Sequence, residues 1–373
     1  MKGTRFLGLD VHAASIAVAV AEPDGEVRAV GTIPNDPEAV AKLVRKLGEP
    51  DTLRACYEAG PCGYPLYWQL TQLGVACIVV APTLVPVKEG DRVKTDHRDA
   101  EKLARSFRSG DLTPVWIPDA AHEALRDLVR AREAAKRDQL RARHRLQKFL
   151  LRHGRRPPAG VKAWTQRFHA WLGSLHFEHP AQEATRLDYH SEVDHARDRI
   201  ERLERAIDAA VAAAPPAMRA LIEALQALRG IAQVSAATIV SEVGPPSRFD
   251  RPRQLMGYSG AVPREDSSGP RTRRGHITKT GNAHLRRVII EAAWAYQHRP
   301  NIGPTLHHRQ RPVSEAVKAI AWKAQHRLHR RYGRLTGRGK VKQQVVTAIG
   351  RELLGFIWAI GVQVEREQPL PAR

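Results

Sequence analysis

Four acidic residues in the first hundred positions stand beside apolar segments. Asp10 follows the first apolar segment, Glu58 follows a later one, and Asp96 and Asp99 lie three residues apart. If a helix begins at Thr95 or Asp96, the two aspartates share one of its faces. Clustered carboxylates repel one another unless cations neutralise them, and such oxygen ligands select Mg²⁺ or Mn²⁺. Two of these ions roughly 4 Å apart form the arrangement that catalyses in-line phosphoryl transfer.

Each of these carboxylates also has an ordinary structural interpretation. An acidic residue at a strand end is often part of a turn, and Asp96 is a suitable N-cap for the helix that follows it. The set is harder to explain in this way, because Asp10 and Glu58 both end segments that are otherwise apolar. The sequence therefore predicts that Asp10, Glu58, Asp96 and Asp99 bind metal together.

A second group of reactive residues surrounds a Ser-Ser-Gly sequence late in the chain. Ser268 precedes Gly269, and the arginines Arg271, Arg273 and Arg274 follow. A serine hydroxyl can attack a phosphodiester when guanidinium groups hold the phosphate and stabilise the developing charge. On composition alone, however, a Ser-Ser-Gly sequence is far more often a turn.

The stretch from Leu228 to Ala237 predicts two helices joined by a short turn that includes Gly230. This pattern is typical of a helix-hairpin-helix, whose backbone amides and helix N-terminus hold a phosphate. The second glycine usual in that module is Ala232 here. A plain helical turn is therefore the alternative interpretation.

The segments that carry these residues predict three regions. Residues 1–119 show the order βββαβαβ followed by a helix, which is that of an RNase H-like α/β domain, where the first and fourth strands are neighbours. Residues 120–214 carry apolar residues at three-four spacing among many basic ones and predict a coiled-coil helical hairpin. Residues 215–373 predict a mostly helical part that runs to Gly361 before a polar tail.

Composition narrows the classes of function. Lys and Arg total 60 against 39 Asp and Glu in 373 residues, so the formal net charge is +21. Such an excess indicates a polyanionic partner, most commonly nucleic acid. Three cysteines without a CxxC pair exclude a disulfide framework and a zinc finger, and favour the reducing cytoplasm. We expect no membrane association, because no uninterrupted apolar run of roughly 18 residues occurs.

Together these motifs resemble the DEDD transposases of the insertion sequence 110 family, which combine a RuvC-like domain, a coiled coil and a C-terminal transposase domain. The resemblance spans nearly the whole chain. In the first region it rests on Gly8-Leu9-Asp10, Tyr57-Glu58-Ala59-Gly60 and Lys94-Thr95-Asp96-His97-Arg98-Asp99-Ala100. In the last region it rests on Gly230-Ile231, Phe249, Gly257 to Pro263, Ser268-Gly269, Ile277 to Asn282 and Leu285-Arg286-Arg287.

The resemblance implies DNA recombination, in which a mobile element is excised and inserted by strand exchange under the guidance of a structured RNA. It implies that the four carboxylates are the metal-binding DEDD set and that Ser268 joins covalently to DNA, with Ser267 as a competitor. The expected partners are DNA, a guide RNA and further copies of the chain. The residues expected to contact nucleic acid are Gly230, Arg271, Arg273, Arg274, Lys279, Arg286 and Arg287.

One segment departs from the family pattern. Between His298 and Arg331 the chain carries an extended run of His and Arg. No carboxylate or cysteine accompanies the histidine tracts, so phosphate contact or a solvated face is favoured over metal binding.

The sequence thus predicts a DNA transposase that uses Mg²⁺ or Mn²⁺ at the DEDD set and Ser268 for strand transfer. Two alternatives stay open. A RuvC-like structure-selective nuclease would not need Ser268. A non-catalytic nucleic-acid-binding scaffold would not need the acidic set, and the presence of all four carboxylates argues against it.

Overall fold

The computed structural model describes residues 3–86, 95–268 and 271–368. The chain divides into two compact units, residues 1–117 and residues 118–373. Lys94, Gly269 and the side chain of Arg274, which belong to predicted motifs, lie outside the described part. The predicted boundary at Pro215 stays a prediction.

The first unit is built on a five-stranded mixed sheet. Its strands are β1 (Arg5–Val11), β2 (Ser15–Ala21), β3 (Val27–Pro34), β4 (Leu53–Glu58) and β5 (Ala76–Val80). Its helices are α1 (Pro37–Leu47), α2 (Pro65–Gln72) and α3 (Asp96–Arg108). The strand order is β3-β2-β1-β4-β5, with β2 antiparallel to both neighbours and β4 parallel to β1 and β5. The predicted order of elements and the predicted contact between the first and fourth strands are therefore present.

The two faces of this sheet differ in the size of their side chains. One face buries large aliphatic residues such as Leu7 and Leu9 together with residues of α1 and α2. On the other face, Ala17, Ala19 and Ala21 of β2 pack with Ala100 and Ala104 of α3. Gly8 makes this second layer still thinner, because a Cβ there would lie 2.1 Å from the Ala100 carbonyl oxygen. Helix α3 thus lies directly on the backbone of β1.

Helix α3 begins where the sequence predicted. Thr95 is the N-cap, and its Oγ1 accepts a hydrogen bond from the Arg98 amide at 3.4 Å. Asp96 is therefore a residue of the first turn and not the cap. Asp96 and Asp99 both lie in this turn, where the positive end of the helix dipole favours carboxylates.

The second unit begins with long helices. These are α4 (Ala120–Arg152), the shorter α5 (Gln166–Ser174) and α6 (Pro180–Ala212). Helices α4 and α6 run antiparallel, since Arg132 pairs with Glu204 and Asp138 pairs with Arg199. The α6 residues buried at seven-residue spacing are Arg186, Val193, Ile200 and Ile207. Supercoiling of the two helices into a coiled coil stays a prediction.

The rest of the second unit is mostly helical. Its helices are α7 (Pro216–Leu225), α8 (Gln233–Val243), α9 (Pro252–Tyr258), α10 (Ala283–Ala293), α11 (Pro304–Gln310), α12 (Glu315–Gly337) and α13 (Lys342–Glu367). A two-stranded antiparallel hairpin of β6 (Pro263–Ser268) and β7 (Arg271–Ile277) interrupts them. Ser267 and Ser268 are therefore the last two residues of a strand.

Helix α13 is the central helix of the second unit and contacts α7, α9, α10 and α12. Within the described residues it is the one helix long and apolar enough to cross a membrane, and half of its apolar window is buried inside the protein. It runs past the predicted end at Gly361 to Glu367. Gly361 is a packing residue, because a Cβ there would lie 2.3 Å from Pro246 Cγ.

Candidate active site

The carboxylates of the first unit meet at the carboxyl ends of β1 and β4. In the parallel register of these strands Leu9 is paired with Tyr57, so Asp10 and Glu58 are the next positions on neighbouring strands. Alternation along a strand places both on the face that α3 covers, since Gly8 contacts α3 and Cys56 packs with Leu103 of that helix. Sheet topology therefore brings together two carboxylates that are 48 positions apart in sequence.

Helix α3 adds its first turn to this edge of the sheet, and the loop after β1 adds a histidine. His12 Nε2 lies 3.2 Å from Asp10 Oδ2 and 3.6 Å from Asp96 Oδ1. One ligand atom from each of Asp10, His12 and Asp96 lies within 4.8 Å of the others. This is a group of metal-ligand type whose donors come from the strand, the loop and the helix.

The charges at this edge act on one another. Burial raises the pKa of the Asp10 carboxyl, and His12 opposes this effect. The negative charges of Asp96 and Asp99 raise the pKa of Asp10 further. The group thus carries excess negative charge, which a cation would relieve.

The four predicted carboxylates differ in how closely the structure places them. Asp96 is within the tight group, and Asp99, on the same turn of α3, is close enough to act on Asp10 electrostatically. Glu58 lines an open cleft of about 620 Å³ together with Asp10 and His12. The four residues therefore share one edge of the sheet, with Glu58 and Asp99 outside the 4.8 Å group.

His12 is the residue of this group that the sequence prediction omitted. Its signal was the spacing Asp10-Val11-His12, because residues two apart at the end of a strand lie on the same side. The turn that follows β1 holds it in place, since the His12 amide donates to the Ser15 carbonyl at 2.9 Å and Asn35 Nδ2 donates to the His12 carbonyl at 2.7 Å.

Ser268 lies in the second unit, as the last residue of β6. It is exposed and is paired across the hairpin with Arg271, while Asp266 is paired with Arg273. Residues that face each other across antiparallel strands, and residues two apart along one strand, lie on the same face. Ser268 therefore shares its face with Arg271, Arg273 and Asp266. Ser267 lies on the opposite face, where its hydroxyl donates to Glu265 Oε1 at 3.0 Å.

A compact junction holds the base of this hairpin. The Thr278 amide donates to the Val262 carbonyl at 2.8 Å, and the Asn282 amide donates to the Tyr258 carbonyl at 2.8 Å. Gly281 has a φ of +118°, and a Cβ there would lie 2.2 Å from the Tyr258 carbonyl oxygen. Asn282 also caps α10 through the Leu285 amide and donates to buried Glu242 at 2.7 Å. Much of the predicted motif from Ile277 to Asn282 therefore fixes the hairpin.

The predicted nucleic-acid residues fall into two groups. Arg271, Arg273 and Lys279 are exposed. Arg286 and Arg287 are half-buried, and Arg286 donates to the Ser259 carbonyl at 2.8 Å.

Arg287 belongs to a network of charges within the second unit. Its guanidinium pairs with Glu133 of α4 at 3.1 Å and with Glu291 at 3.0 Å. His284 Nδ1 lies 2.6 Å from the other oxygen of Glu133. Arg287 therefore already has two carboxylate partners.

Gly230 lies in the turn between α7 and α8, with a φ of +82°. A Cβ at this position would lie 2.4 Å from the Ala292 carbonyl oxygen. Close packing against α10 thus accounts for glycine here, and contact of this turn with phosphate stays a prediction.

Comparison with known proteins defines the class. Residues 7–154 match a family model described as Transposase, named DEDD_Tnp_IS110, and residues 222–308 match the model described as Transposase IS116/IS110/IS902 family. A Sinorhizobium fredii protein named as the transposase y4qE is 44% identical over 358 residues, covering 95% of this chain and 88% of the relative. The transposase for insertion sequence element IS1533 of Leptospira borgpetersenii is 33% identical over 347 residues, covering 91% and 99%.

The chain belongs to the IS116/IS110/IS902 family of transposases, as the sequence motifs predicted. Transposases bind DNA and catalyse the cleavage and transfer of its strands, so the protein is an enzyme of DNA recombination.

Proposed function

We propose that the first unit is an RNase H-like catalytic domain in which Asp10, Glu58, Asp96 and Asp99 hold Mg²⁺ or Mn²⁺ for DNA strand cleavage. The observation that carries this proposal is the placement of ligand atoms of Asp10, His12 and Asp96 within 4.8 Å of one another. The strand order β3-β2-β1-β4-β5 and the position of α3 on β1 support the fold assignment.

The donor set fits a hard divalent cation. Carboxylate oxygens dominate it, and the pKa of Asp10 is raised by burial and by its acidic neighbours, as expected where a cation is needed to balance charge. When bound, such an ion polarises the scissile phosphate and stabilises the charge that develops on its oxygens. The protein's own contribution is to hold Asp10 on a buried strand, and Asp96 and Asp99 on the first turn of α3.

We assign strand transfer to Ser268. Its Oγ would form a bond to phosphorus as the bond from phosphorus to one bridging oxygen breaks. The serine hydroxyl loses its proton and the departing oxygen gains one, which leaves a protein-DNA phosphodiester. Arg271 and Arg273 lie on the same face of the hairpin and can hold the phosphate, whereas Ser267 is hydrogen-bonded to Glu265 on the other face. Ser268 is therefore favoured over Ser267.

The exposed cations Arg271 and Arg273 are the preferred phosphate ligands near this serine, and exposed Lys279, at the base of the hairpin, is available to a more distant phosphate. Arg286 and Arg287 are less available, because a backbone carbonyl and two carboxylates respectively engage their guanidinium groups. We further propose that a structured RNA guides the enzyme and that several copies of the chain act together. The net charge of +21 supports a large polyanionic partner.

The metal assignment is tested with the variants Asp10→Asn, Glu58→Gln, Asp96→Asn and Asp99→Asn, singly and combined. Mn²⁺ binding, measured by electron paramagnetic resonance, and DNA strand cleavage should fall together, while the circular dichroism spectrum should not change. Asp24→Asn is the control, since Asp24 is an exposed turn residue of the same unit. Full recombination of a plasmid substrate by the quadruple variant would refute the metal assignment.

RNA guidance is tested by expressing the protein together with the whole element and sequencing the RNA that co-purifies. A structured transcript of the element's non-coding DNA should be recovered, and the affinity of the protein for this RNA should fall steeply as the salt concentration rises. Recovery of no such RNA, or an affinity insensitive to salt, would contradict the guided mechanism.

A further inference from the structure

One face of helix α12 combines an aromatic residue with many cations. The side chains toward the protein are apolar at helical spacing, with Val317, Ala321, Ala324, Leu328 and Tyr332 among those buried. The opposite face exposes Trp322, Lys323, His326, Arg327, Arg330 and Arg334. We call these six residues the α12 surface. It lies within the basic segment 298–331 and extends three positions past it.

Trp322 is unusually exposed for its type, with 41% of its surface accessible. It borders two concave regions, one of about 640 Å³ toward Arg330 and Arg334 and one of about 520 Å³ toward His307 and Lys318. The His326 ring meets the indole edge-on, with centroids 4.4 Å apart and planes at 76°. An aromatic side chain thus stands between two basic hollows.

Part of the charge on this surface is already paired, and part is not. Glu352 of α13 pairs with Arg327 and, at 3.0 Å, with Arg331. Within residues 3–86, 95–268 and 271–368, no carboxylate forms an ion pair with Lys323, Arg330 or Arg334. These three cations therefore remain available to phosphates.

We propose that the α12 surface binds single-stranded DNA, with one unpaired base stacked on Trp322 and the adjoining phosphates on Lys323, Arg330 and Arg334. Aromatic stacking recognises a base that is free of its partner strand, and the cations that share the hollow beside the ring can follow the backbone. Strand transfer exposes such segments, which is why DNA is the occupant we choose. This proposal concerns neither the metal site nor Ser268.

The dimensions fit this ligand. Trp322 and Arg334 are twelve residues apart on one helix, which corresponds to about 18 Å. A stacked strand has one phosphate every 3.4 Å or so, and the surface thus spans about five phosphates.

The test is fluorescence anisotropy of the full-length protein with labelled oligonucleotides. Trp322→Ala should bind dT20 about tenfold more weakly, equivalent to roughly 1.4 kcal/mol, whereas Trp322→Phe should recover most of the affinity. An oligonucleotide of abasic residues should bind the wild type and Trp322→Ala equally. Trp68→Ala is the matched control, because Trp68 is exposed to 42% in the first unit, and it should bind dT20 normally.

Salt dependence separates stacking from charge. The triple variant Lys323→Ala, Arg330→Ala and Arg334→Ala should lower the slope of log affinity against log salt by about 2, since each phosphate that is no longer neutralised accounts for roughly 0.7. Trp322→Ala should leave that slope unchanged.

Three results would overturn the proposal. The first is unchanged dT20 affinity in Trp322→Ala, and the second is a Trp322-dependent preference for rU20 over dT20, which would assign the surface to RNA. The third is a change in the oligomeric state of Trp322→Ala, measured by sedimentation, without loss of DNA binding, which would place Trp322 between subunits.

Discussion

Gly8 offers the sharpest test of how the fold positions the site. Helix α3 lies so close to β1 that a Cβ at position 8 would be 2.1 Å from the Ala100 carbonyl oxygen and 2.4 Å from the Ala104 nitrogen. Ordinary contact begins near 3.4 Å. Gly8→Ala must therefore move α3 by more than 1 Å, because both obstacles are backbone atoms.

This movement should affect stability and catalysis to different degrees. Overpacking of this kind typically costs about 1–3 kcal/mol, which many proteins survive. Asp96 and Asp99 move with α3, however, while Asp10 stays on β1. Since a misplacement of about 1 Å can reduce catalysis roughly 100-fold, the rate of strand cleavage should fall strongly in a variant that still folds.

The assays are urea denaturation, Mn²⁺ binding and DNA strand cleavage on the element's own ends. Gly25→Ala is the control, because its Cβ would meet only ordinary contact at 3.7 Å, and stability should change by no more than about 0.5 kcal/mol. Wild-type stability and wild-type cleavage in Gly8→Ala would refute the close packing of α3 on β1 as the device that positions the acidic group.

Three further outcomes follow from the charges and caps. Burial alone would raise the pKa of Glu133, but hydrogen bonds from His284 and Arg287 lower it to about 2, so the stability that Glu133 contributes is present above pH 4.5 and lost as pH falls toward 2. Urea midpoints against pH should show this loss, and Glu133→Gln should abolish it. Asn282→Ala should cost about 3 kcal/mol in urea denaturation, because it removes the α10 cap and the hydrogen bond to buried Glu242, whereas Asn282→Ser should retain the cap and lose less. The pKa of Asp10 is raised in the folded state, so its charged form destabilises the fold, and Asp10→Asn should melt at a higher temperature than the wild type in EDTA at pH 7. This advantage should disappear below about pH 4, where the wild-type carboxyl is protonated. In saturating Mg²⁺ the wild type should instead melt at the higher temperature. An identical melting order with and without Mg²⁺ would contradict the last of these.

The sequence predicted best what depends on local pattern and chain order. Alternating short strands and a capped helix gave the order βββαβαβ, and the start of α3 at Asp96 followed from Thr95. The adjacency of Asp10 and Glu58 followed from the fold that this order indicates. These features can be predicted from neighbouring residues in the sequence and from a topology that is already known.

Other features depend on long-range packing, which no local pattern contains. Arg287 is the type of residue that often binds phosphate, and local sequence does not show that its partner is Glu133, which lies 154 positions away on α4. The β6-β7 hairpin was missed because β6 is exposed almost throughout and carries no alternation of apolar residues. The helical part was expected to end at Gly361, but here this glycine allows α13 to pass close to Pro246.

We propose that Asp10, Glu58, Asp96 and Asp99, through a metal ion that they hold, and Ser268 serve one reaction. The direct measurement uses a nicked suicide substrate, denaturation of the products and mass spectrometry of the DNA-linked peptide. The wild type in Mg²⁺ should give a denaturation-resistant adduct on the peptide that contains Ser268, and Ser267→Ala should give it too. Ser268→Ala, Asp10→Asn and the wild type in EDTA should give none. An adduct on another residue, or full recombination by Ser268→Ala, would contradict the claim and favour a metal-dependent nuclease.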